Sequence, residues 1–152
     1  MTSDEDFLRE FEACRWPLER WHHRDHVKLA YLYLLRHGLA EAATRLREGI
    51  RAHNRAHRIP DLPLMGYHET MTQAWLRLVD TSVAEYGPSR DADSFCDEHP
   101  ELLEKKALRL FYSRERFTSP EAKATFVAPD LAPLPVSRRG SGPAVDPPGG
   151  RR

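Results

Sequence analysis

Three histidines lie within five positions at the start of a long apolar segment. The stretch RWHHRDHVKLAYLYLLRHG, residues 20–38, contains His22, His23 and His26 immediately before its apolar part. On a helix, residues three or four apart share a face. His23 and His26 are therefore both in register with apolar positions that follow them, whereas we expect His22 to face solvent. Imidazoles that share one face are suited to binding zinc, iron or copper.

A second histidine stands beside an acid at another predicted helix start. In the stretch MGYHETMTQAW, His68 is in register with Met71 and Trp75, and Glu69 follows it. A buried carboxylate needs a cation or a hydrogen-bond donor, so an inward Glu69 must have such a partner. Bundles build metal sites where helices face each other. If the two helix starts meet, His23, His26 and His68 could bind one divalent metal ion, with Glu69 as ligand or general base.

The donor types leave the identity of the metal open. Two histidines with a carboxylate are typical of non-haem iron, and three histidines with an open water position suit catalytic zinc. Histidines held close together should have lowered pKa values. The alternative is that these residues cap helices and make hydrogen bonds in the core. His53 and His57 continue the apolar stripe of another helix. We expect them near the surface at its C-terminus, with a place in the cavity as the alternative.

A third candidate is RLFYSRERFTS, in which arginines surround Tyr112 and Ser113. Arg109 could form a forked pair with a carboxylate or phosphate, and Tyr112 could donate a hydrogen bond or a proton. The alternative is a solvated basic helix end. The chain has no glycine-rich phosphate loop and no GxSxG motif, which argues against nucleotide hydrolysis and acyl-enzyme chemistry.

Taken together, RWHHRDHVKLAYLYL, GYHETMTQAWL and LRLFYSRERFTSPEAKATFVAPDLAPLP resemble an uncharacterised family of small bacterial helical proteins. The shared pattern is W-x-H-x-x-H, then Y-H-E-T, then F-Y-S, over roughly residues 7–135. The resemblance implies no activity, but it favours the residues that match the pattern. These are Trp21, His23, His26, Tyr67, His68, Glu69 and Tyr112. We therefore predict Glu69 and Tyr112 as catalytic residues and Trp21, Tyr67, Thr72 and Arg109 as substrate contacts.

Composition limits the classes of partner. The chain has 152 residues, with 23 basic and 23 acidic side chains and a formal charge of zero. This balance argues against nucleic acid or an anionic membrane surface as the main partner. Cys14 and Cys96 lie far apart, no secretory signal is visible, and the apolar run at residues 29–35 is too short to cross a membrane. We expect a cytoplasmic protein with a small-molecule ligand, and the sequence does not indicate its oligomeric state.

Helical periodicity dominates the chain and no strand pattern competes with it. We predict an all-α fold, a single compact domain of five to seven helices over residues 1–136, and a disordered Pro/Gly-rich tail at 137–152. One longer helix should start near Pro100 and bury Leu103, Ala107, Leu110 and Phe111. The predicted function is a small metal-dependent enzyme acting on a small polar metabolite. The alternative is a non-catalytic helical module that binds a small ligand or a protein partner.

Overall fold

A computed structural model describes residues 2–137, and over this range the protein is all-α. The α-helices are α1 (Asp4–Glu12), α2 (His23–His37), α3 (Leu39–Ala56), α4 (Glu69–Tyr86), α5 (Ala92–Glu98), α6 (Arg114–Phe117) and α7 (Pro120–Ala124). Short 3₁₀ helices occupy Leu18–Arg20, Pro100–Leu103 and Lys105–Leu110. The predicted fold class is confirmed. Within the described range, no helix is both long and apolar enough to cross a membrane.

Helix α2 lies at the centre of the domain. It packs against α3, α4 and α5, and α4 packs in turn against α3 and α7. Apolar residues cover all sides of α2, which is typical of a helix surrounded by others. Its Tyr31 is 1% exposed, stacks on Phe95 and donates a hydrogen bond to the Ser89 carbonyl. Helix α2 is therefore the one around which α3, α4 and α5 pack.

Polar side chains start most of the helices. Ser3, Asp91, Ser113 and Ser119 each accept a hydrogen bond from a backbone N–H in the first turn of the helix that follows. His68 does the same for α4, because its Nδ1 accepts from the Met71 N–H at 3.0 Å. These caps satisfy N–H groups that have no partner inside the helix. The two helix starts predicted at the histidine-rich stretch and at His68 agree with the structure.

The connection from α2 to α3 is a single residue, Gly38. Its φ of 82° and ψ of 171° place it in a region that only glycine occupies readily. The Gly38 N–H donates to the Leu34 carbonyl, and the Gly38 carbonyl accepts from Ala42, so one residue ends one helix and begins the next. This short link keeps α2 and α3 adjacent.

The prediction of one longer helix after Pro100 is wrong. Glu104 is extended, and its carboxylate accepts from the Lys106 N–H, so the segment restarts as a second 3₁₀ helix. With three residues per turn, a 3₁₀ helix presents different residues to the core than an α-helix does. Leu102 and Leu108 are the buried leucines, whereas Leu110 is 69% exposed.

The chain after α7 runs in extended form back across α4. The Thr70 hydroxyl donates to the Thr125 carbonyl and accepts from the Val127 N–H, which fixes the start of this segment. Ser137, assigned to the disordered tail by the sequence analysis, is only 5% exposed and donates a hydrogen bond to Asp80. The packed domain therefore includes Ser137. The rest of the predicted tail lies outside the described residues.

Replacing Gly38 with alanine should destabilise the fold without creating a clash. A Cβ at this position would meet no atom of residues 2–137 within 4 Å, so the expected cost comes from the backbone conformation. We expect the free energy of unfolding to fall by about 1–3 kcal/mol, measured by urea denaturation. Glu41→Ala, in the first turn of α3, is the control and should cost well under 1 kcal/mol. Equal stability of Gly38→Ala and the parent protein would contradict this account of the junction.

Candidate functional site

A groove of about 1070 Å³ lies where the start of α2, one face of α4 and residues 103–118 meet. Met71 and Trp75 of α4 form one wall, and Phe117 of α6 and Leu131 form another. The His23 ring lines the groove with its centroid 4.5 Å from that of Trp75. The start of α2 and the α4 helix therefore come together, as the sequence predicted.

His23 is held in the groove wall by a backbone carbonyl. Its Nε2 lies 2.9 Å from the Leu102 carbonyl oxygen, and because a carbonyl only accepts, Nε2 carries the proton. Nδ1 is then the unprotonated nitrogen of the neutral ring. Burial lowers the pKa of His23, and the nearby Lys105 lowers it further. The imidazole is therefore neutral at pH 7 and adds no positive charge to the groove.

Two further predicted site residues line the same groove. Arg109 is exposed at its edge. The Tyr112 ring also lines it, but the Tyr112 hydroxyl donates a 2.7 Å hydrogen bond to the Val127 carbonyl. Burial raises the pKa of Tyr112. The structure therefore gives Tyr112 a role in shaping the groove, with its proton committed to the backbone.

His26 lies apart from the groove, in an aromatic cluster between α1, α2 and α3. Trp21 is at the centre of this cluster: its ring stacks on Phe11 and contacts His26 and His53, with centroids 5.1 and 5.4 Å away. The His53 ring lies 4.2 Å from that of His57. Trp21 is thus a core residue here and does not line the groove.

The expectation that His53 lies near the surface is wrong. His53 is 0% exposed, and its Nε2 is 2.8 Å from the Trp16 carbonyl oxygen. Three imidazole nitrogens of the cluster are enclosed and have no hydrogen-bond partner among residues 2–137. They are His26 Nε2, His53 Nδ1 and His57 Nε2. Burial lowers the pKa of His26 to about 4 and also lowers that of His53.

His68 caps α4 and faces away from the His26 cluster. Its ring stacks on Phe117 at 4.6 Å, and its Nε2 is 2.9 Å from the Phe117 carbonyl oxygen. Thr72, a predicted substrate contact, donates its hydroxyl to the His68 carbonyl and is 5% exposed. Burial lowers the pKa of His68. His68 thus supports Phe117 in the groove wall, and the Thr72 hydroxyl is committed to the backbone of α4.

Glu69 has the cationic partner that its burial requires. It is 5% exposed, and Arg47 of α3 donates two hydrogen bonds to its carboxylate, at 3.0 and 2.8 Å. The Tyr67 hydroxyl and Gln73 also donate to it. Burial alone would raise the pKa of Glu69, but these donors, Arg47 foremost, lower it to about 2. The carboxylate is fully engaged in joining α3 to α4.

The three predicted metal ligands do not surround one position. His23 packs on Trp75, His26 on Trp21 and His68 on Phe117, and two of them use Nε2 to bind backbone carbonyls. Among residues 2–137, no group of three or more His, Cys, Asp or Glu side chains is arranged to hold a metal ion. The donor set therefore does not fit a shared ion, and iron, zinc or copper stays a prediction.

The lowered pKa values predicted for His23, His26 and His68 are confirmed in direction. The expected cause was mutual repulsion between clustered imidazoles. Burial is the largest cause for each of the three rings, and the proximity of His23 to His26 contributes less. Neutral histidines here follow from enclosure of each ring in its own part of the core.

The sequence analysis missed Arg47 and the wall residue Trp75. Arg47 is four residues after Ala43 and three before Ile50, so it borders the apolar stripe of α3. This register could have identified it as the partner of Glu69. Trp75 was assigned to the core of α4, and nothing in its register distinguishes a core ring from a groove wall.

Comparisons of the chain with protein-family models, with curated proteins and with solved structures gave no match.

Glu69→Gln tests whether this residue stabilises the fold through Arg47. We expect the free energy of unfolding at pH 7 to fall by about 2 kcal/mol, since hydrogen bonds to charged groups are lost and Arg47 keeps an unpaired charge. Urea denaturation of Glu69→Gln, Arg47→Gln and the double variant gives the coupling energy, which should exceed about 1 kcal/mol. A loss of only 0.3–1 kcal/mol with no coupling would instead indicate a simple interaction with the helix dipole.

The enclosed histidines should make the fold sensitive to acid. Because the folded-state pKa of His26 is lowered from 6.5 to about 4, the unfolded chain binds more protons between these values. The free energy of unfolding should therefore decrease as pH falls from 6.5 toward 4, by up to about 3 kcal/mol from His26. In His26→Leu this loss should be smaller by a similar amount, measured by urea denaturation at several pH values. The exposed His22 gives the control His22→Gln, and a change in its pH profile as large as that of His26→Leu would count against this assignment.

Proposed function

We propose that this protein is a non-catalytic helical module that binds a small organic molecule in the groove between Trp75 and Phe117. The observation that carries the proposal is the groove itself, with a volume of about 1070 Å³ and walls that contain the rings of His23, Trp75, Tyr112 and Phe117. Small-molecule sites are concave, lined mainly by apolar and aromatic side chains, and typically about this large.

The state of the polar groups supports binding over catalysis. The predicted catalytic pair is divided: Tyr112 is at the groove with its hydroxyl bound to a carbonyl, and Glu69 is paired with Arg47. A general acid or base needs a proton position that can reach the substrate. The metal-dependent enzyme predicted from the sequence would need ligands that converge, so it stays a prediction without a supporting observation.

Two of the rings that line the groove are held in place by hydrogen bonds, which favours a preformed binding site. His23 is fixed by the Leu102 carbonyl, and His68 holds Phe117 through the Phe117 backbone carbonyl. A ligand that enters such a site orders few side chains, and binding therefore costs little conformational entropy. These contacts give His23 and His68 a role in ligand binding that needs no metal.

Leu131→Ala tests the site with a matched control. Leu131 lines the groove and is 58% exposed, and Leu64 is 82% exposed and is not among the groove's lining residues. We expect titration with 1-naphthaleneacetate or 1-naphthaleneacetamide to shift the amide NMR signals of groove residues. Leu131→Ala should weaken binding about fivefold because apolar contact area is lost, and Leu64→Ala should not.

Two results of these titrations would contradict binding in the groove. If neither naphthalene probe shifts the signals of residues 103–118, or if both leucine variants weaken binding equally, the groove is not the binding site.

A further inference from the structure

Four cations surround the groove without a carboxylate partner. The groove is lined by the exposed side chains of Lys105, Lys106, Arg109 and Arg114. None of these cations forms an ion pair or a side-chain hydrogen bond with residues 2–137. Several cations elsewhere in the same range are paired: Arg47 binds Glu69, and Arg24 and Lys28 bind Asp93. The groove therefore concentrates positive charge in a chain whose formal charge is zero.

Among residues 2–137, the groove lining holds one carboxylate beside the four cations, and this acid and the nearby Asp130 are held by structural partners. Glu104 lines it, but its carboxylate accepts from the Lys106 N–H and caps the 3₁₀ helix there. Asp130 accepts two hydrogen bonds from Ser113, through the backbone N–H and the hydroxyl, which lower its pKa. Both carboxylates have structural partners, and the lysine and arginine side chains remain available to a ligand.

The walls define the other half of the ligand. Four rings line the groove: His23 and Phe117 are half-buried, and Trp75 and Tyr112 are only 5% and 2% exposed. Flat apolar groups pack well against such aromatic surfaces. With His23 neutral, the positive charge belongs to the lysines and arginines of residues 105–114. We propose that the ligand is an aromatic organic acid, its ring against the aromatic wall formed mainly by His23 and Phe117 and its carboxylate among these cations, an inference that rests on the proposed function.

A second cavity does not share these features. It measures about 730 Å³ and lies beside Tyr67. Its Lys123 is bound to Asp61 and to the Tyr67 carbonyl, and its Arg51 lies over the Tyr67 ring. Arg55 also lines it, but its lysine is already paired, and Tyr67, the one aromatic ring that lines it among residues 2–137, is covered by Arg51. The exposed cations and the aromatic side chains of the groove between Trp75 and Phe117 therefore favour an aromatic acid as its ligand.

Three probes separate the two parts of this proposal. 1-Naphthaleneacetate carries both ring and charge, 1-naphthaleneacetamide lacks the charge, and decanoate lacks the ring. Dissociation constants come from NMR titration of the full chain at pH 7. At low salt we expect the naphthalene acid to bind about tenfold tighter than the amide, because several modest surface charge interactions add up. Raising NaCl to about 0.5 M should reduce this ratio toward one.

Two double variants locate the charge. Lys105→Gln with Arg109→Gln should lower the preference for acid over amide to about threefold or less. Arg55→Gln with Arg58→Gln removes two exposed arginines that do not line this groove and should leave the preference intact.

The outcomes distinguish this proposal from the function on which it rests. Equal binding of acid and amide, or an equal loss in both double variants, would overturn the anionic assignment while the groove remains a binding site. Decanoate binding as tightly as the naphthalene acid would overturn the aromatic assignment. No shift at the groove with any probe would overturn both the ligand class and the proposed function.

Discussion

The burial of α2 is the constraint on which the rest of the structure depends. Its apolar residues face every direction, so one partner helix cannot cover them. α3, α4 and α5 therefore surround it, and its N-terminal end meets the Pro100–Leu103 turn. The groove is a consequence of this arrangement. Near the start of α2 the covering structure changes from long helices to short 3₁₀ segments, which leave a concave surface between themselves and α4.

Three histidines donate hydrogen bonds to backbone carbonyls of distant segments. A segment without long helices has backbone carbonyls with no internal donor, and burying them unpaired is costly. Neutral imidazoles at or near helix ends supply that donor: His23 to Leu102, His53 to Trp16 and His68 to Phe117, across 79, 37 and 49 residues of sequence. The histidine-rich start of α2 is thus explained in part by architecture. The same bonds fix the tautomer of each ring with Nδ1 unprotonated; in His68 this nitrogen accepts from the Met71 N–H, and in His53 it is enclosed.

The parts of the fold that follow from local rules could be predicted from the sequence. Helical periodicity and capping residues identified α1 to α4 and the central position of α2. The meeting of α2 with α4 and the need of Glu69 for a partner also followed. The structure does not bring His26 and His68 together as predicted. A shared helix face does not indicate which neighbouring helix that face contacts. The 3₁₀ turns were missed since leucines at residues 102–110 fit an α-helical stripe equally well, and only Glu104 interrupts it. Most of the cations of the groove belong to that segment, so their common location could not be predicted from the sequence.

The use of 3₁₀ turns for one wall of the groove has a consequence for motion. Among the leucines of residues 100–110, only Leu102 and Leu108 are less than a tenth exposed. The hydrogen bond between His23 and the Leu102 carbonyl connects this segment to α2. Segments with few buried contacts open at a lower free energy than the helices they cover. We therefore expect this wall to open at a lower free energy than is needed to unfold α2, α3, α4 and α5. Local opening gives a bulky molecule a route past the cations to Trp75, and exchange of its amide hydrogens would proceed independently of global unfolding.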